Sequence, residues 1–206
     1  MSNHRQLINE NFSISHGDEL KDRKFYSNTV REYQVGRFLQ SKDESKHLVL
    51  HVDFVQSKGD FSLNDIGFEL KENSGALTSG YLSFELVNTR KVEISGIMQS
   101  YKDGVKYFLM YIPGRKYMNN RYSKYQNQLY LFDTKELYEW LISQEYIVAE
   151  NNRTAYSNAV CFKVPLRYIV EHSFKDLIKK TWTVTEDQLN SFGTPEGVDS
   201  YFVEDL

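Results

Sequence analysis

Apolar and polar positions alternate with a period of two over several short stretches, the pattern of half-buried strands. Phe61-Ser62-Leu63 and Ile66-Gly67-Phe68 flank Asn64-Asp65, a dipeptide that suits a two-residue hairpin loop. With that loop Leu63 pairs with Ile66, and counting outward sets Asp60 opposite Glu69, with Lys71 on the face of Glu69. His47 to Val55 predicts a strand over about 48–55, and Tyr81 to Val87 predicts another. Further strands are expected around 91–97 and 106–112, the latter apolar throughout Tyr107-Phe-Leu-Met-Tyr-Ile112 as a central strand would be. Gln128 to Phe132 and Ala159 to Val164 also read as strands.

The helical period appears where Ser27 caps a helix to about Gln40, with Val30, Tyr33, Val35, Phe38 and Leu39 as its inner stripe. Asp133-Thr-Lys-Glu136 opens a second helix to about Gln144, with Leu137, Trp140 and Leu141 inward. Pro165 suits a first helical turn, and Ser173 to Lys180 is expected to be helical. The stretch 150–153 reads as a linker. These elements predict an α/β domain, a central mixed β-sheet of five or more strands flanked by helices. A polar arm over 1–25, the domain itself over 26–182 and an acidic tail over 183–206 complete the expected organisation.

At 206 residues the chain buries one sizeable core. Fifteen tyrosines and thirteen phenylalanines beside three prolines fit a strand-rich protein. The single cysteine, Cys161, excludes an internal disulfide and a cysteine-based zinc cluster. No apolar run approaches a membrane span and the first residues carry no apolar signal segment, so a cytoplasmic protein is expected. The net charge of −3 argues against a nonspecific DNA coat, but its distribution is uneven. Lys102, Lys106, Arg115, Lys116, Arg121 and Lys124 face one acid, Asp103, whereas Glu186, Asp187, Glu196, Asp199, Glu204 and Asp205 close the chain without a lysine or arginine.

The hairpin register changes the picture most. It gathers Asp60, Glu69 and Lys71, two hard oxygen ligands and an amine. Two carboxylates can hold Mg²⁺ or Mn²⁺ and leave positions for water and a phosphate oxygen. An amine beside them can orient the attacking water or offset developing charge. Asp53 is a reserve for the first acid. An exposed hairpin with a solvated polar face accounts for the same residues without chemistry. In the loop from Pro113 to Tyr125, Arg115, Lys116, Arg121 and Lys124 interleave with tyrosine and asparagine, which suits phosphate contacts with base stacking.

Asp60 followed by Glu69-Leu70-Lys71 resembles the bipartite signature of the PD-(D/E)xK nuclease superfamily, which includes restriction endonucleases and Holliday-junction resolvases. Gln56-Ser57-Lys58-Gly59-Asp60 is similar to a Q-x-K-G-x-D run of some members, with one residue fewer. Thr78-Ser-Gly-Tyr-Leu-Ser-Phe-Glu85 resembles the T-G-N-x-x-x-E stretch of others, which implies Glu85 as a further metal-binding acid. Many members also carry an acid on a helix before the hairpin, to which Glu32 corresponds; a solvated helix glutamate is the plainer reading. The resemblance covers roughly 28–180. It implies a restriction-endonuclease-like sheet and a Mg²⁺-dependent (or Mn²⁺-dependent) DNA endonuclease. Asp60 and Glu69 would be its metal ligands, Lys71 would be catalytic beside them, and a homodimer is one route to cutting a duplex. The alternative is a non-catalytic nucleic-acid-binding protein, or a DNA-mimicking inhibitor, on the same scaffold. Negative charge and the acidic tail favour that alternative.

Overall fold

The computed structural model describes residues 19–51, 58–88, 93–114, 127–144, 149–153 and 158–195. Helix α1 (Glu19–Gln40) leads into three antiparallel strands, β1 (Leu48–Leu50), β2 (Phe61–Leu63) and β3 (Ile66–Glu72). The hairpin forms in the expected register, Leu63 against Ile66 and Phe61 against Phe68. Its loop residues Asn64 and Asp65 have φ of 49° and 66°, the double left-handed geometry that matches the twist of the flanking strands and that Asn and Asp tolerate best.

After β3 the chain passes through α2 (Ala76–Ser79), β4 (Tyr81–Asn88), β5 (Glu93–Ile94) and α3 (Gly96–Asp103). It returns as β6 (Tyr107–Ile112), parallel to β3. β7 (Asn127–Asp133) pairs antiparallel with β6, and α4 (Thr134–Ser143) follows. Asp133 caps α4 through its carboxylate, which accepts from the backbone N–H groups of Lys135 and Glu136. β8 (Ala149–Arg153), β9 (Asn158–Pro165), α5 (Tyr168–Glu171), a 3₁₀ turn (Ser173–Leu177), β10 (Ile178–Val184) and α6 (Glu186–Asn190) complete the described chain.

Six strands form a mixed sheet in the order β1-β2-β3-β6-β7-β10, and β5-β4-β9-β8 form a second, antiparallel sheet. The central strand β6 is apolar on both sides because both sides are covered. Leu109 and Tyr111 join Val35, Phe38 and Leu39 of α1, Val184 and Leu189 in one core. Phe108, Met110 and Ile112 join Leu82, Phe84, Ile97, Leu137 and Phe174 in the other. Phe84 lies 6.1–6.4 Å from Phe108, Phe132 and Phe174, an aromatic cluster clamped between the two sheets.

Several expectations need correction. Residues 19–25, assigned to the arm, are helical, so α1 starts eight residues before the expected Ser27 cap. The strands at 81–87 and around Cys161 leave the central sheet and pair with each other, Glu85 opposite Cys161. Residues 96–103 are the helix α3, because Ile97 and Ser100 recur at helical spacing and bury together. The supposed linker 150–153 is part of β8. Pro165 ends β9 opposite Tyr81, where no donor is missed, instead of opening a helix. After one 3₁₀ turn, residues 178–184 are a strand. The acidic tail also begins inside the fold, since Val184 and Leu189 are fully buried.

Candidate metal and phosphodiester site

Gly59 sets the position of Asp60. It has φ of 65°, and a Cβ there would lie 2.4 Å from the Phe68 carbonyl oxygen, so only glycine fits. Phe68 bridges Gly59 as well as Phe61, a two-against-one irregularity that ends the ladder before Asp60. Asp60 therefore does not stand as a strand partner of Glu69. Its backbone N–H donates to the Phe68 carbonyl (2.8 Å), its carbonyl accepts from His51 N–H (2.9 Å), and its Oδ2 accepts from Leu70 N–H (2.6 Å). The carboxylate is turned onto β3 beside Glu69.

Glu69 and Lys71 share a face, as the strand period requires, and form an ion pair at 2.5 Å. They stand opposite Phe108 and Met110 of β6, on the side where the second sheet and α3 lie. The Glu69 side chain is 16% exposed and that of Lys71 42%, with the ammonium held against Glu69.

Glu32 of α1 completes the cluster. Burial, reinforced by the charges of Asp60 and Glu69 and only partly offset by Lys71, pushes its carboxyl up to about 8. Burial likewise raises Glu69, with Asp60 and Asp103 adding and Lys71 opposing. Burial alone would lower the Lys71 ammonium, yet Glu69, Asp60 and Glu32 together hold it above its usual range. Three carboxylates answered by one ammonium leave negative charge uncompensated. That excess favours the protonated form of Glu32 above all.

Asp60 and Glu69 line an open cleft of about 450 Å³ whose opposite wall is α3, with Ser95, Gln99 and Asp103. Sequence reading missed Asp103 as part of the site, because nothing in its vicinity signalled that α3 would turn it towards β3. Gln99 Nε2 donates to Asp103 Oδ2 and steadies it. Glu85 is not among the lining residues: its Oε1 accepts from the Ser95 hydroxyl at 2.6 Å, and its carbonyl lies against Gly96, so it fastens the start of α3. Asp53 and the expected DNA-contacting residues Arg115, Lys116, Arg121 and Lys124 lie outside the described residues.

Among the described residues no three acidic, histidine or cysteine side chains form a ready-made metal cage. The donor set still fits Mg²⁺, which keeps several waters and commonly takes only one or two carboxylates beside substrate oxygens. Asp60 Oδ1 and the Glu69 carboxylate would be the hard donors, and the excess negative charge is what a divalent cation would neutralise. No protein-family model, curated protein or solved structure matches the chain. Among the described residues no helix is long and apolar enough to cross a membrane.

Proposed function

We propose that the protein is a metal-dependent phosphodiesterase. More particularly, it is a DNA endonuclease on a restriction-endonuclease-like scaffold. One observation carries this reading: Asp60 before β2, Glu69 and Lys71 of β3 and Glu32 of α1 interact as one charged cluster, of which Asp60 and Glu69 line an open cleft. A solvated hairpin face would not bury Glu69 or perturb a glutamate on a separate helix. The mixed sheet, with its hairpin beside a parallel central strand, supports the scaffold.

Asp60 and Glu69 would hold Mg²⁺ or Mn²⁺, and Glu32 is close enough in charge to respond to it. Bound there, such a cation would acidify a water and offset charge on the phosphate. Lys71 stays protonated, so it serves as a donor and positive charge towards water or a non-bridging oxygen, not as the base. Leu70 N–H holds Asp60 in place, and Glu69 holds Lys71. Water adds to phosphorus and the P–O3′ bond breaks; one water proton ends on the 3′-hydroxyl, and the water oxygen stays on the 5′-phosphate. Cutting both strands of a duplex requires two copies or two successive nicks. The rival, a non-catalytic nucleic-acid-binding protein or DNA-mimicking inhibitor, has the net charge of −3 in its favour.

Plasmid, linear and branched DNA incubated with Mg²⁺ or Mn²⁺ separate the two. The nuclease reading expects discrete products bearing 5′-phosphates from the wild type, and a loss of at least about 100-fold in Lys71→Ala. Intact DNA in every case, with folded protein, would move the reading to the binding protein.

A further inference from the structure

One residue before Glu32, α1 contributes to a second constellation. Arg31 Nη2 donates to Glu186 Oε1 at 2.5 Å. The Tyr111 hydroxyl and Asn127 Nδ2 both donate to Glu186 Oε2, at 3.0 and 2.9 Å. Donors from α1, β6 and β7 thus converge on one carboxylate, and the Arg31 guanidinium also packs 5.0 Å from the centre of the Tyr111 ring. Such a set of donors recognises an anion.

The carboxylate does not use the set fully. Arg31 Nη1 is buried and has no hydrogen-bond partner among the described residues, so half of the guanidinium fork is idle. Glu186 is itself 49% exposed on its side chain, and the cleft beside it measures about 560 Å³. Gly114 and Asn127 line that cleft together with Arg31. A tetrahedral phosphate offers more oxygens than a planar carboxylate and can span both Nη atoms while reaching Tyr111 or Asn127.

We propose that Arg31, Tyr111 and Asn127 form a subsite for a backbone phosphate, and that Glu186 is an internal anion occupying it until nucleic acid displaces the side chain. The assignment to a backbone rests on the reading that the chain acts on nucleic acid. Glu72 and Asp187 also line the cleft and make it acidic, so a phosphate replaces Glu186 and does not join it. Glu186 thereby acts as a competitive plug on Arg31, the neighbour in sequence of Glu32 in the charged cluster.

The test needs neither metal nor cleavage, which keeps its failure distinct from failure of the nuclease reading. Inorganic phosphate and a short single-stranded oligonucleotide are titrated into the full chain in EDTA at fixed ionic strength. Binding is followed in every variant by the backbone N–H NMR signals of Gly114 and Asn127, which line the cleft, and by the Nε–H signal of Arg31 where that residue is present. Both probes are expected to bind Glu186→Gln at least about tenfold more tightly than wild type. Arg31→Gln is expected to abolish that gain in the double variant. Affinity that is indifferent to Glu186→Gln, or a gain that survives loss of Arg31, would overturn the subsite. Phosphate binding without oligonucleotide binding would overturn the backbone assignment. Should Glu186→Gln not fold, the wild type decides: a saturable shift of the Arg31 signal with either probe supports the subsite, and no shift with both overturns it.

Discussion

Glu32 makes the clearest residue-scale prediction. Its folded carboxyl titrates at about 8 against 4.5 when unperturbed. A raised acid binds its proton more tightly in the folded state, so its contribution is complete below pH 4.5 and disappears as pH climbs through 8. Urea melts in EDTA should therefore show Glu32→Gln gaining on the wild type between pH 5 and 8, by on the order of 2 kcal/mol after allowance for solvent screening. A constant difference across that range would mean that Glu32 is ordinary. Gly59 makes another. Gly59→Ala meets the Phe68 carbonyl in a left-handed conformation, which should cost about 1–3 kcal/mol in the same melts and weaken cation binding by displacing Asp60. Glu69 and Lys71 were legible in the sequence because a two-residue period needs only a correct strand. The placement of Asp60 was not, because a single left-handed glycine breaks the register that counting assumes.

At the scale of elements, local signals carried as far as local physics reaches. The hairpin followed from Asn64-Asp65, and α4 followed from the Asp133 cap, both decided by contacts within a few residues. The helix α3 is hard to read locally because its eight residues carry only a narrow buried stripe, Ile97 and Ser100. Residues 178–180, read as the end of a helix from Ser173, open β10 instead, because pairing with β7 overrides local propensity. The same misreading hid the role of α6. Leu189 is fully buried against the core that contains Val35 and Phe38. Leu189→Ala should accordingly cost about 2–5 kcal/mol in denaturant melts, whereas a detached acidic tail would leave stability unchanged.

At the scale of the molecule, the α/β class and the central position of β6 were legible, because a strand buried on both faces has to be apolar throughout. The separation into two sheets was not. β4 and β9 lie about 80 residues apart in sequence, and nothing local says that Glu85 should face Cys161 across them and not Lys71 across the site. The consequence is functional. Glu85 fastens α3, and α3 in turn brings Asp103 opposite Glu69, so the cleft is built by both sheets together. Its charge is the feature on which the whole account depends: acids gathered against a single ammonium, with the Glu32 carboxyl pushed up beside them.

Calorimetric titration of Mn²⁺ into the metal-free protein at pH 7, in two buffers of different ionisation enthalpy, tests this most directly. The account predicts saturable binding that is lost in Glu69→Ala, with proton release in the wild type that falls sharply in Glu32→Gln. Folded protein that takes up no Mn²⁺ at millimolar concentration, or binding indifferent to Glu69, would contradict it.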